Sequence, residues 1–148
     1  RDLTDAVAAF REAAELRRNW PDPFLGLART FIYGLQDLDR GADALKQAER
    51  YGYTPGERET VQLADGYRVR GDTLMRNARQ LSGMAQERDH VQRAVEAYRQ
   101  AMTLYLSIKD LSGVGPNIRL TQRSLDSAEL KLGELSRPAP EVPAEPAR

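Results

Sequence analysis

Residues 6–13 read AVAAFREA, which places Ala6, Phe10 and Ala13 at intervals of four and three along one face of a helix. The same small–large–small spacing returns in GADALKQA at residues 41–48 and in AVEAYRQA at residues 94–101. Two small residues let a neighbouring helix approach closely, while the large side chain between them fills the groove. The recurring triplet therefore predicts an all-α fold built from closely packed helices.

A second series recurs in the segments that precede the later triplets. It places bulky, leucine, small and aromatic positions at intervals of three, one and three, once at residues 24–31 and again at residues 60–67. Both series together resemble the tetratricopeptide repeat, a pair of antiparallel helices with a period near 34 residues. The members of the second series are Phe24, Leu27, Ala28, Phe31, Thr60, Leu63, Ala64 and Tyr67.

The resemblance implies antiparallel helical hairpins stacked into a tetratricopeptide-like superhelix. We expect a repeat domain over residues 1–136, with repeat pieces at about 2–20, 21–54 and 55–108. A terminal helix at 117–135 is expected to cover the open end of the stack, because end units shield the core that an absent neighbour would bury. An exposed stripe for a partner or for dimerisation is the alternative for this helix.

Several positions depart from the family pattern. Gly41 and Leu45 replace the usual alanine and aromatic residue, and Thr60 replaces a bulky one. The third piece carries roughly 18 extra residues, which predicts longer helices there. A generic array of α-hairpins is the alternative to the family assignment.

Glycine, proline and cap residues set the expected ends of six helices, and no segment shows the period-two alternation of a strand. Residues 137–148 hold four prolines and little to bury, which predicts a flexible tail or linker. The expected helices are Asp2–Arg18, Pro23–Gly34, Leu38–Tyr51, Glu57–Gln80, Gln86–Ile108 and Asn117–Leu135.

Composition excludes several functional classes. Basic and acidic residues balance at 22 each, which argues against a surface for nucleic acid. Residues 68–99 hold seven arginines against four acids, an excess that indicates a solvated face. No apolar run approaches the roughly 20 residues that span a bilayer, so this segment is not expected to insert into a membrane. The absence of cysteine excludes disulfides and thiolate metal sites.

Catalytic and metal-binding patterns are missing from the sequence. His90 is the only histidine and lies in a charged helix start, where it is expected to be solvated. No serine–histidine–acid set, phosphate-binding glycine loop or metal-ligand spacing appears. We therefore expect no enzymatic activity, no cofactor and no metal site in this chain.

The resemblance also implies a concave groove lined by the first helix of each hairpin. Repeats that bind the carboxylate tails of chaperones place lysine and asparagine in such a groove, whereas Leu25, Arg29 and Asp65 stand at the matching positions here. That clamp is absent, although arginines could pair with an acidic partner. Packing of Leu25, Ile32 and Tyr33 against a neighbouring helix is the alternative. The expected groove residues are Leu25, Arg29, Ile32, Tyr33, Arg58, Gln62, Asp65 and Arg68.

These features predict a non-catalytic scaffold or adaptor that binds another protein or a peptide. Two alternatives stay open: a regulatory or docking segment of a larger multidomain enzyme, and a homo-oligomerisation module. The helical pattern at the first residue indicates a piece of a longer protein, and the excess of arginine over lysine is typical of bacteria. A cytoplasmic location is favoured, with the soluble part of an envelope protein as the alternative.

Overall fold

The computed structural model describes residues 2–138, 143 and 146, and within them every regular element is helical. The all-α prediction is confirmed. The proline-rich tail predicted for residues 137–148 lies outside the described residues except at positions 137, 138, 143 and 146. The helices are α1 (Asp2–Leu16), α2 (Asp22–Arg29), α3 (Leu38–Arg50), α4 (Glu57–Gln80), α5 (Gln86–Ser107) and α6 (Val114–Leu135).

The second helix differs from the sequence prediction because its last turn widens. After α2 the chain continues as a π-helical turn, Thr30–Gly34, in which the Leu35 N–H donates to the Thr30 carbonyl at 3.0 Å. A π turn holds an extra residue and so rotates the side chains that follow it about the helix axis. Of the positions beyond Arg29, Ile32 does not face where α-helical spacing predicts, while Phe31 is buried as predicted.

The helices pack in chain order, each against the next, and α4 and α5 form the most extensive pair. Two further contacts join elements that are separated by one helix along the chain: α4 touches the π-helical turn, and α6 touches α4. Two of the three triplets are buried in these contacts. Ala94 and Ala101 are fully buried on either side of Tyr98, and Leu45 and Ala48 are buried in α3, while Ala6 and Ala13 in α1 are half-buried.

The last helix packs its inner side on α4 and α5. Thr121, Leu125 and Ala128 are buried, and Leu125 and Ala128 belong to the same core as Tyr98. The helix begins at Val114, three residues before the predicted start, because a proline is tolerated in a first turn. Gly113 precedes it at φ 87°, a backbone conformation that favours glycine.

Among the described residues, no helix is both long enough and apolar enough to cross a membrane.

A glycine allows α4 and α5 to approach each other. A Cβ added at Gly71 would lie 2.5 Å from Cε1 of Tyr98, a ring that is almost fully buried. We expect Gly71→Ala to lower the free energy of unfolding by about 2 kcal/mol, since overpacking outweighs the roughly 1 kcal/mol that alanine adds to helix propensity. Urea unfolding followed by circular dichroism measures the change.

Gly133 offers the matched control for this substitution. It lies in α6, and an added Cβ would meet nothing within 4 Å, so Gly133→Ala should stabilise the chain or leave its stability unchanged. Equal effects of the two substitutions would contradict the role given to the contact between Gly71 and Tyr98.

Candidate interaction surface

Two adjoining depressions open on the side formed by α2, the π-helical turn and the start of α4. The larger has a volume of about 520 Å³ and the smaller about 270 Å³. Arg29, Arg58 and Gln62 line both, so the depressions adjoin, and we describe the two together as one trough, the α2–α4 surface. Val61 and Leu111 add apolar wall to the larger depression.

Five of the eight residues expected to line a groove meet at this surface. Two of them lie on α2, two lie in the first two turns of α4, and one is a tyrosine of the π-helical turn. Gln62 is itself buried and forms part of the floor. The five residues are Leu25, Arg29, Tyr33, Arg58 and Gln62.

The structure places Ile32 in the core rather than in the trough. Its side chain is only 3% exposed and packs where a Cβ on Gly41 or Gly66 would stand. The physical reason is the π-helical turn, which rotates Ile32 away from the side that carries Arg29. Asp65 and Arg68 also lie outside the two depressions and belong to a polar network behind them.

Among the described residues that line the trough, Arg29 and Arg58 are the only side-chain cations. Both are exposed, and within residues 2–138 neither forms an ion pair with a carboxylate. Exposed acids stand nearby at Asp22 and Glu57, on the rims of the smaller and larger depression. Arg29 and Arg58 can therefore donate charge-assisted hydrogen bonds to an incoming acid.

A third acid in the trough, Glu59, already accepts hydrogen bonds from groups within the chain. Glu59 is buried, and it accepts hydrogen bonds from the Tyr53 hydroxyl at 2.5 Å and the Gly56 N–H at 2.9 Å. Burial works against ionisation of Glu59, but these two hydrogen bonds outweigh it and lower the pKa of its carboxyl group. The Glu59 side chain thus stabilises the start of α4 by accepting a hydrogen bond from the backbone N–H of the N-cap residue, Gly56.

A chain of tyrosines, aspartates and one arginine lies behind the trough and joins the π-helical turn to α4 and α5. The Tyr33 hydroxyl donates to Asp65 Oδ2 at 2.7 Å, and the Tyr105 hydroxyl donates to Asp65 Oδ1. We call it the tyrosine–aspartate network, and its members are Tyr33, Asp65, Arg68, Asp72, Tyr98 and Tyr105.

The second half of the network repeats the first. The Tyr98 hydroxyl donates to Asp72 Oδ1 at 2.7 Å, and Arg68 Nη1 lies 3.5 Å from Asp72 Oδ2. The aspartates are seven residues apart on α4, and their tyrosine partners Tyr105 and Tyr98 are seven apart on α5, which runs in the opposite direction. One geometry therefore occurs twice along the helix pair.

Burial and hydrogen bonding act together on the phenols of this network. Burial, followed by the hydrogen bond to the partner aspartate, raises the pKa of Tyr98 and of Tyr105 well above the usual value of 10.0. Both phenols therefore stay neutral donors at physiological pH, and each aspartate receives a proton donor rather than a second negative charge.

Sequence reasoning missed most of this network. It assigned Tyr98 to the core as the large residue of a triplet, and it gave Asp72 and Tyr105 no polar role. The signal that could have revealed them is the equal seven-residue spacing of aspartates on one long helix and tyrosines on the next. Such spacing points to facing pairs only when the two helices are known to form a hairpin.

No set of three or more His, Cys, Asp or Glu side chains comes together for a metal ion in the part of the chain that the structure describes. His90 lies at the start of α5, where its Nδ1 is 3.0 Å from the Gln86 carbonyl oxygen.

The likeness to tetratricopeptide repeats is carried by residue spacing. Comparison of the chain with protein-family models, with curated proteins and with solved structures finds no match. Six helices packed against each other are compatible with a helical-repeat fold.

Proposed function

We propose that this chain is a non-catalytic protein-interaction module of tetratricopeptide-like hairpins, and that its α2–α4 surface holds an acidic segment of another protein. The observation that carries the proposal is the trough itself, where Arg29 and Arg58 stand exposed beside apolar wall with no carboxylate paired to them within residues 2–138.

The pattern of helix contacts supports a repeat-like arrangement. In stacked hairpins the first helix of each unit lies beside the first helix of the next. Here α4 contacts the turn that extends α2, and α6 contacts α4, which supports α2, α4 and α6 as the successive first helices. The α2–α4 surface then lies on the side of the stack that such proteins use for partners.

The two arginines of the wall, unpaired within residues 2–138, fit an extended peptide with acidic and aliphatic residues, whose acids must approach Arg29 and Arg58 rather than the rim acids Asp22 and Glu57. A guanidinium group binds a carboxylate through two parallel hydrogen bonds, and Arg29 and Arg58 offer two such groups. Leu25, Val61 and Leu111 supply apolar contact between and beside them. The aliphatic stems of the arginines add to that contact while their charged ends stay solvated.

The test uses a display library of random short peptides selected on the chain. We expect selected peptides to be enriched in Asp and Glu, and the double variant Arg29→Glu/Arg58→Glu to bind them at least about tenfold more weakly, because two charge-assisted hydrogen-bonding groups become repulsive. Calorimetry with one selected peptide measures the affinity, and circular dichroism checks that helicity is unchanged.

The matched control is Arg11→Glu/Arg18→Glu, which makes the same change in net charge at exposed positions outside the trough. It should bind the selected peptide as the unmodified chain does. Equal loss in both variants, or no acidic enrichment at all, would remove the proposal. Arg68 is not suitable for this test, because its side chain is 22% exposed and takes part in the tyrosine–aspartate network.

A further inference from the structure

The solvent side of α6 carries a stripe that nothing in the described chain covers. Five positions at intervals of four, three, four and four fall on one helical face, and all five are exposed. Leu130, the fourth of these positions, is 66% exposed. We call these residues the outer face of α6: Arg119, Arg123, Asp126, Leu130 and Glu134.

Charge is ordered along the outer face. Arg119 and Arg123 occupy its first half, and Asp126 and Glu134 occupy its second half. A lone helix is stabilised by the opposite order, with acids near its start and bases near its end, and Glu134 lies in the last turn. Within residues 2–138, none of these four side chains forms an ion pair, so this chain alone gives no reason for the order.

An apolar depression adjoins the basic half of the outer face. It lies between α5 and α6, has a volume of about 610 Å³ and is floored by Met102, Leu106 and Ile118. Arg119 and Arg123 stand on its wall, and Leu106 is 49% exposed. The face therefore combines an apolar recess with basic walls at one end and a protruding leucine between acids at the other.

We propose that two copies of this chain associate through the outer faces of α6, antiparallel about a two-fold axis. Pairing centred between residues 126 and 127 sets Glu134 of each copy opposite Arg119 of the other, and Leu130 opposite Arg123 at the edge of the apolar depression. Each copy supplies both the recess and the leucine, as a two-fold interface requires.

The order of charges along the outer face favours a second copy of this chain as the partner, and it favours the antiparallel orientation. A parallel pair would place Arg119 beside Arg119 and Glu134 beside Glu134, whereas the antiparallel pair brings opposite charges together at both ends and leaves like charges, the two Asp126 carboxylates, close only at its centre. The antiparallel direction also lets the two helix dipoles oppose each other. A patch of one helix face is small, so we expect weak association, with a dissociation constant between roughly 1 µM and 1 mM.

The test combines two charge variants of the whole chain in sedimentation-equilibrium measurements. Arg119→Glu/Arg123→Glu makes the outer face entirely acidic, and Asp126→Arg/Glu134→Arg makes it entirely basic. Each alone should self-associate at least about tenfold more weakly than the unmodified chain, because like charges then meet at both ends. An equimolar mixture of the two should form heterodimers at least as tightly as the unmodified chain forms homodimers.

The mixture separates the proposal from a folding defect, because two variants that fail to fold cannot restore each other's association. Circular dichroism of each variant provides a further check. An unmodified chain that stays monomeric up to about 1 mM would overturn the proposal and leave the face to a different protein or to solvent. A mixture that stays monomeric while the unmodified chain dimerises would also overturn it, since the dimer would then use another surface.

Discussion

Replacement of Asp65 by alanine is expected to lower the free energy of unfolding by about 3 kcal/mol. The carboxylate accepts hydrogen bonds from Tyr33 and Tyr105 and lies next to Arg68, whose Nε is buried without a hydrogen-bond partner. Its removal leaves the buried Tyr105 hydroxyl without its aspartate acceptor and a largely buried cation with less compensating charge, whereas the exposed Tyr33 hydroxyl can donate to water. Urea unfolding at neutral pH measures the change.

Two controls make this result specific. Asp43→Ala removes an exposed acid of α3 that forms no ion pair within residues 2–138, and it should change stability by less than about 0.5 kcal/mol. Adding Arg68→Met to Asp65→Ala should recover part of the loss, since it removes a largely buried cation that then keeps only Asp72, at 3.5 Å, as its carboxylate partner. Full additivity of the two substitutions, or a loss below 1 kcal/mol for Asp65→Ala, would show that the network contributes little.

Alkaline pH is expected to destabilise the chain steeply above pH 10. The folded state raises the pKa of Tyr98 and Tyr105 through burial and through hydrogen bonds to Asp72 and Asp65. The unfolded chain therefore releases protons from about pH 10 that the folded chain still holds, so stability falls as pH rises. Below pH 9 both states keep these protons, and the two tyrosines contribute no pH dependence.

The slope should be on the order of 1 kcal/mol per pH unit for each of the two buried tyrosines, after allowance for solvent screening at the hydroxyl groups. Urea midpoints at pH 8, 10 and 11 measure it, and Tyr98→Phe/Tyr105→Phe supplies the comparison, because phenylalanine cannot ionise. The double variant should be less stable at pH 8 yet lose less stability between pH 10 and 11. An unchanged slope in the variant would rule out these tyrosines as its source.

Residue spacing was sufficient to predict the helices, because apolar periodicity and breaker residues act locally. The ends of α4 agree with the prediction, and those of α5 differ by one residue, since each helix has polar start signals and a glycine or turn residue near its limits. The start of α6 was wrong by three residues, because Pro116 suits a first helical turn as well as a break. The stacking geometry depends on how faces meet, which spacing alone does not determine.

The candidate surface was predictable only where the helix is regular. Arg29 and Arg58 lie where spacing placed them, while Ile32 lies in the core because the π-helical turn follows Arg29. No residue type in TFIYG marks such a turn. The network was hidden for a different reason: Asp65 and Tyr105 are 40 residues apart, so their hydrogen bond exists only after the hairpin closes.

The doubled pairing of Asp65 with Tyr105 and of Asp72 with Tyr98 fixes the sliding position of α4 against α5. Moving α5 by three residues along its axis would bring Met102 and Val95, both apolar and buried, opposite the two carboxylates at once. Shear along the hairpin must therefore break both pairs together and leave two buried phenols without their aspartate acceptors. We therefore expect α4 and α5 to move as one rigid body, about 36 Å long.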